Sequence, residues 1–258
     1  MKNVDVIIIG AGGAGLMCAI EAGKRGRKVA ILDHGTKIGS KILISGGGRC
    51  NFTNLEAGPE NYVSNNPHFV KSALSRFTSQ DFLRLIKEHH IPFHEKKLGQ
   101  LFCDHSAQDI VNMLQTECEK AKVDFYLEQQ ITNVEKKENF EVKTMTDAFS
   151  AKSLVIASGG LSIPKIGATD FGYRVAKQFK LNIIDTHPAL DGFRFKPSDL
   201  ERFGDLMGVS ADSIVTCNKV SFRENIHFTH MGLSGPAALQ ASLYWHKDNS
   251  IAINFVPK

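Results

Sequence analysis

Cysteine is scattered and unpaired by pattern. The five residues, at 18, 50, 103, 118 and 217, form no CxxC and no even framework. That excludes a disulfide-stapled fold and a zinc ribbon. The ten histidines make no HExxH, so no metal site is expected. Long apolar runs are missing too. The charge-free stretch near the N-terminus, Val6 to Ile20, is broken by glycines and falls short of the ~20 apolar residues a membrane span needs. Asp5 precedes it and no small-residue cleavage site follows a basic start, so it is not a secretory leader either. The expectation is a cytoplasmic protein with no membrane partner. There is no internal repeat and no low-complexity tract. At 42% hydrophobic and 22% charged, with a net charge of +4 and a pI near 8.7, the chain has an ordinary globular composition. Its mild basicity permits contact with phosphates or nucleic acid without demanding it.

What is present is a strongly punctuated α/β pattern. Asn3 to Ile9 is apolar without alternation, as in a central strand covered on both faces. A glycine turn follows, then a helix from about Ala14 to Lys24 and a second buried strand, Val29 to Leu32, ending in Asp33. This βαβ unit requires a right-handed crossover and a parallel sheet. Lys41 to Asn54 reads as a glycine-rich loop, with helical stretches near His68–Phe77 and Gln80–His89 beyond it. Ser106, with Asp109 three residues on, predicts a capping box for a helix reaching about Lys120. Val123–Leu127 reads as a third parallel strand. Ile131–Glu135, Phe140–Met145 and Ala148–Lys152 read as a β-meander with turns at Asn139 and Asp147. Leu154–Ala157 reads as a further buried strand and Phe171–Lys180 as a helix. From Ile183 the pattern shifts to short strand-like pieces. The expected organisation is therefore a Rossmann-like domain over 1–185 with an inserted meander, then part of a β-rich, barrel-like domain over 186–258.

The chemistry concentrates in glycine turns. Gly10-Ala11-Gly12-Gly13-Ala14-Gly15 fits GxGxxG between a strand and a helix. Gly10 makes the tight turn, Gly12 lets backbone approach a pyrophosphate, and Gly15 lets helix and strand pack closely. The helix N-terminus near Ala14 attracts the phosphates. Asp33, 23 residues beyond Gly10, stands where a carboxylate accepts ribose hydroxyls, with His34 beside it. A nicotinamide-only dehydrogenase would continue strand–helix–strand. A meander before a strand ending Ala157-Ser158-Gly159-Gly160 instead fits an FAD site, to which Ile131 is also assigned. In the loop, Gly47 and Gly48 allow close ligand approach. Lys41 and Arg49 offer charge to a pyrophosphate or to a reduced isoalloxazine, Asn51, Thr53 and Asn54 offer polar bonds, and Cys50 is a small packing residue or a redox thiol. On the substrate side, the segment His227–Pro236 supplies donors in Thr229 and His230, with His230 a candidate general acid. Pro236 suits a helix N1 position, and the competing reading has Ser234 or His230 capping that helix. Thr169-Asp170 predicts a cap for the helix from Phe171.

Three strings, KILISGGGRCNFTN (41–54), SGGLSIPKIGATDFGY (158–173) and HFTHMGLSGPAALQAS (227–242), resemble the YhiN/BaiN-type flavoprotein family. The resemblance runs from the N-terminus to about residue 245. It implies an FAD domain interrupted by a middle domain with a β-barrel-like part. It also implies FAD as cofactor and NAD(P)H as electron donor. The implied reaction is reduction of an electron-poor C=C bond, in a steroid-like enone or in a uracil ring of ribosomal RNA. Members of that family run well past this length and return to the FAD domain, so a truncated or excised chain is expected here. The rival readings are a nicotinamide-only dehydrogenase and an inactive nucleotide-binding remnant.

Overall fold

The computed structural model describes residues 1–247 and 249–257 and divides into two compact units, 1–183 and 184–258. The first holds β1 (Lys2–Ile9), α1 (Gly13–Lys24), β2 (Val29–Leu32), α2 (Ser40–Ile44), β3 (Asn51–Asn54), α3 (Lys71–Arg76), α4 (Ser79–Glu88), β4 (Phe93–Glu95) and β5 (Gln100–Cys103). It continues with α5 (Gln108–Lys120), β6 (Asp124–Tyr126), β7 (Ile131–Lys136), β8 (Phe140–Thr144), β9 (Ala148–Ile156) and α6 (Phe171–Gln178). Its main sheet has the order β6-β2-β1-β9-β8-β7. β6, β2, β1 and β9 run parallel, and β8 and β7 add antiparallel. Ile7, Ile8 and all four residues of β2 are buried, because cores lie on both faces. Ile8, Leu16, Ile20, Ile31 and Leu114 belong to one core; Ile7, Leu32, Val142, Phe149 and Val175 to the other. This is a Rossmann-type α/β fold with a mixed sheet.

The expected break between the meander and the next strand is absent. β9 is one strand, in parallel register with β1 from Lys2↔Phe149 to Ile9↔Ile156, while its first half pairs with β8. The sequence pattern ends one strand at Lys152 and begins another at Leu154, but Lys152 and Ser153 are exposed positions of a continuous strand.

The stretch 41–54 is likewise not a loop. It folds as α2, a 3-10 turn over Ser45–Gly48, and β3, which joins β5 and β4 in a three-stranded sheet that the sequence pattern did not announce.

Two helix starts differ from expectation. α5 lacks the Ser106/Asp109 capping box: Ser106 Oγ accepts from the Gln108 N–H at 3.1 Å, and the Asp109 N–H donates to the Ser106 carbonyl at 3.2 Å. The box is at α4 instead. There Thr78 Oγ1 accepts from the Asp81 N–H at 3.2 Å, and Asp81 Oδ2 accepts from the Thr78 N–H at 2.8 Å. Thr78→Ala should lower stability by about 1 kcal/mol, read as a lower urea midpoint with an unchanged slope.

A buried carboxylate joins α1, α4 and α5. Glu117, with its side chain 8% exposed, accepts from Lys120 Nζ at 2.7 Å and lies 2.9 Å from His89 Nε2 and 3.4 Å from Lys24 Nζ. The Lys120 bond, helped by His89 and Lys24 and opposed by burial, holds its pKa at about 2. Because the folded pKa is depressed, this contribution is complete above the unfolded value of about 4.3. It is lost as pH falls toward 2. The stability gap between the native chain and Glu117→Gln should therefore be wide at pH 7 and shrink between about pH 4.5 and 2, as urea titrations at each pH will read.

The second unit holds β10 (Phe193–Arg194), α7 (Pro197–Phe203), β11 (Ser210–Cys217), β12 (Val220–Thr229), β13 (Gly232–Ser234), α8 (Pro236–Ser242) and β14 (Ile251–Asn254). Its sheet, β10-β13-β12-β11-β14, is antiparallel throughout. Ala237, Ala238 and Ala241 of α8 pack on Val215, Ile226, Phe228 and Leu233; small residues on the helix let it lie close to the sheet. Among the described residues no helix is long and apolar enough to cross a membrane.

Candidate cofactor and active site

The three motif glycines are required for two different reasons. Gly10 has φ +114°, and a Cβ there would lie 2.3 Å from the Ala157 carbonyl oxygen. This is where the ends of β1 and β9 meet, joined by the Ala157 N–H donating to the Ile9 carbonyl at 2.8 Å. At Gly15 a Cβ would lie 1.9 Å from the Gly10 carbonyl oxygen, so α1 rests directly on the turn. Gly12 is the opposite case. It has an ordinary backbone (φ −87°, ψ −177°) and nothing within 4 Å of its Cβ position. Gly12 is also the N-cap of α1 and supplies no side-chain cap. The first N–H groups of that helix thus lack a side-chain cap, and Gly12, Gly13 and Ala14 border a hollow, an arrangement suited to an anion.

Asp33 closes the turn from the other side. Its Oδ2 accepts from the Ala11 N–H at 2.6 Å and its Oδ1 from the Gly35 N–H at 2.7 Å. The sequence had reserved this carboxylate for a ribose. It is also a structural clasp, and its remaining lone pairs are what a ribose can use.

Two hollows lie at the C-terminal ends of β1, β2 and β9, where α/β sheets bind ligands, and a third shares residues with the first. The first, about 210 Å³, is lined by Gly10, Gly12, Ala14, Asp33, His34, Lys41, Ala157, Ser158, Gly159 and Gly160. The second, about 130 Å³, shares Gly10, Asp33, His34 and Ser158 with it and adds Ile131, Phe171 and Arg174. The third, about 700 Å³, shares Gly13 and Lys41 with the first and reaches Cys50 and Asn51. The first two hollows suit the adenosine and pyrophosphate of a dinucleotide, and the third adjoins them. Ser158 Oγ, common to the first two, is buried without a hydrogen-bond partner, and Gly12, Gly159 and Gly160 leave the wall bare of side chains.

Other expected residues lie elsewhere. Gly47 and Gly48 adopt positive φ with open space beside them, and Arg49 is exposed; none lines a described hollow. The Asn54 amide is used within the protein: Nδ2 donates to the Leu98 carbonyl at 2.7 Å and Oδ1 accepts from the Glu56 N–H at 2.8 Å. It staples the loops around β3, and Asn54 lines none of the three hollows. Cys50 is buried, which pushes its thiol up against a smaller opposing effect of Ser45. Cys103, in the same core, is pushed to about 12 by burial, with Cys50 adding to it. Both behave as packing residues, so the redox reading of Cys50 loses its chemical basis.

In the second unit, Thr229 Oγ1 donates to the Gly232 carbonyl at 3.0 Å and accepts from the Met231 and Gly232 N–H groups. Its hydroxyl holds the β12–β13 turn, which corrects its assignment as a substrate donor. His230 is exposed at the tip of that turn. Pro236 opens α8 at N1, and neither Ser234 nor His230 caps it. The N-cap of α6 is Asp170, also without a side-chain cap; Thr169 Oγ1 accepts from the Phe171 N–H at 3.3 Å. The reading missed Gly35, Gly39 and Gly167, which line the first hollow. Only their glycine identity signalled them: Gly39 and Gly167 have φ of +67° and +93°.

Comparisons with known proteins identify the family and the fold. The family model described as HI0933-like protein Rossmann domain matches residues 4–236. A protein of Escherichia coli K12 named ribosomal RNA dihydrouridine synthase is 51% identical over the whole chain, which spans 65% of that relative's length. A 3-dehydro-bile acid delta(4,6)-reductase of Clostridium scindens is 26% identical, covering 97% of this chain and 64% of its own. Among solved structures, a flavocytochrome c3 fumarate reductase superposes with a TM-score of 0.53 at 16% identity, covering 82% of this chain and 47% of that one.

Proposed function

We propose that this chain, which belongs to the HI0933-like Rossmann-domain family, carries the FAD-holding part of a reductase that saturates the C5=C6 bond of a uridine in ribosomal RNA. The observation that carries the cofactor assignment is the bare glycine crevice ending at the unpartnered Ser158 hydroxyl. The N-terminus of α1 and the Lys41 ammonium would hold the pyrophosphate, and Asp33 the ribose of the adenosine. Ile131, Phe171 and Arg174 would flank the adenine. FAD, when bound, supplies the two-electron chemistry, with NAD(P)H as the electron source. The protein's own task is to orient the ring, exclude water and provide a proton. The uridine assignment is supported by the 51% identical relative's name.

The test has two stages. Protein titrated with FAD should develop the bound-flavin visible spectrum, which a nicotinamide-only dehydrogenase would not. With NAD(P)H and ribosomal RNA lacking dihydrouridine, nucleoside mass spectrometry should then find a uridine that has gained two hydrogens. A flavin-loaded protein that leaves every uridine unchanged would overturn the substrate assignment.

A further inference from the structure

We infer that the 700 Å³ cavity beside the crevice seats one unstacked uridine, and that the stretch Asn61–Phe77 at its mouth binds the flanking single-stranded RNA. This rests on the uridine reading above. The cavity shares Gly13 and Lys41 with the cofactor crevice, so a ring held in it lies next to the cofactor. Its wall is apolar and aromatic. Phe52, Phe77 and Phe82 pack ring to ring at 6.1 and 6.4 Å, and Tyr62 stands with them. Several polar groups of the wall are already used: Lys41 Nζ donates to Ser162 Oγ, Ser45 Oγ to the Ile42 carbonyl, Ser75 Oγ to the Ser72 carbonyl, and Thr78 caps α4. The hydroxyls of Thr53 and Tyr62 and the Lys71 ammonium carry no hydrogen bond among the described residues. A few polar groups on an apolar wall is how a pocket orients a flat heterocycle, and bases taken out of a stack are read this way.

The rim decides between RNA and an apolar small molecule. From Asn61 to Gln80 there is no Asp or Glu, while His68, Lys71 and Arg76 all fall there. Lys71 and Arg76 are exposed and enter no ion pair among the described residues. The carboxylate that follows, Asp81, is occupied by Thr78 and Arg84; the one that precedes is Glu60. The same stretch exposes Phe69 at 76%, Tyr62 at 48% and Phe77 at 43%. Cations interleaved with exposed aromatic rings match a single strand, whose phosphates need charge and whose bases stack on rings. An apolar enone would use the cavity but not the cations.

The test is fluorescence anisotropy with the FAD-supplemented chain. It uses a labelled single-stranded RNA carrying one uridine among adenosines, and the same RNA abasic at that position. The native chain should prefer the uridine RNA. K71A/R76A should weaken both RNAs about tenfold and reduce the salt slope by about 1.4, since each single-strand phosphate contact contributes ~0.7. Ser75→Trp, at an exposed site on the cavity mouth, should abolish the uridine preference and leave the salt slope intact. Phe69→Ala, which removes an exposed ring, should cost about tenfold by lost stacking. FAD affinity and melting midpoint should not move in any of them. Native RNA affinity and slope in K71A/R76A, or a retained preference in Ser75→Trp, overturns this assignment. If uridine reduction still occurs, the function reading survives that result. Failure to bind either RNA, together with binding of androst-4-ene-3,17-dione, overturns both.

Discussion

Gly12→Val is expected to fold normally and to hold no FAD, whereas the smaller change Gly15→Ala should fail at folding. The contrast follows from what each new atom meets. At position 12 the backbone is in an extended conformation that valine favours, and nothing of the protein lies within 4 Å of the Cβ. The added side chain fills only the space in front of the α1 N-terminus, where the pyrophosphate must sit. Stability without cofactor should stay within about 0.5 kcal/mol of native, and FAD affinity should fall at least about 100-fold, roughly 2.8 kcal/mol. At position 15 a single methyl would stand 1.9 Å from the Gly10 carbonyl oxygen, which is backbone and cannot swing away. Helix α1 must then lift from the turn, breaking the contact of Leu16 and Ile20 with the sheet core. A loss of about 3 kcal/mol or more is expected, seen as aggregation or a strongly lowered urea midpoint. Thermal melting without FAD and flavin absorbance after gel filtration separate the two effects. A yellow, FAD-retaining Gly12→Val protein would place the phosphates elsewhere.

How far the sequence spoke for itself depended on the range of the interactions involved. β1, α1 and β2 were legible because an uninterrupted apolar strand, a glycine turn and a helix follow one another within 32 residues. The three strings that resemble a known flavoprotein family are supported by the family match over 4–236. β9 was misread because local polarity at Lys152-Ser153 interrupts its apolar pattern, while the pairing that holds it straight comes from β1, some 150 residues away. β4 and β5 were missed for a related reason. They are strands of three and four residues, too short to show a period, and they exist because β3 completes their sheet.

Around the crevice, the glycines singled out in the sequence, Gly10, Gly12, Gly159 and Gly160, stand where backbone conformation or bare wall calls for them. Polar side chains were harder to read. Asn54 and Thr229 carry the right functional groups, but Thr229 spends its hydroxyl on its own turn and Asn54 divides its amide between Glu56 nearby and the distant Leu98 carbonyl. Donor and acceptor types can be read from a sequence, but whether a loop has already satisfied them cannot.

Asp33 carries both kinds of role, and Asp33→Ala is therefore expected to lose cofactor and stability together. Read from sequence, the carboxylate serves the ribose, and removing it costs charge-assisted bonds of ~1.5–3 kcal/mol, about 10- to 150-fold in FAD affinity. The structure adds a second loss. The same carboxylate accepts from the Ala11 N–H at 2.6 Å and the Gly35 N–H at 2.7 Å, fastening the glycine turn to the loop after β2. Alanine leaves both donors without that partner, and each part-buried, unpaired N–H costs about 1–3 kcal/mol. A net loss of about 2 kcal/mol corresponds to a melting midpoint lower by roughly 4–8 °C for a unit of this size, before any FAD is added. Asp33→Asn should fall between the native chain and alanine, because one carboxamide oxygen can replace one of the two acceptors while its NH₂ faces the other donor. The measurements are melting without FAD and a fluorescence titration of FAD quenching on the same three proteins. Weaker FAD binding at an unchanged midpoint would return Asp33 to a purely ligand-binding role. A lowered midpoint at unchanged affinity would leave the ribose without its proposed partner and move the adenosine out of this crevice.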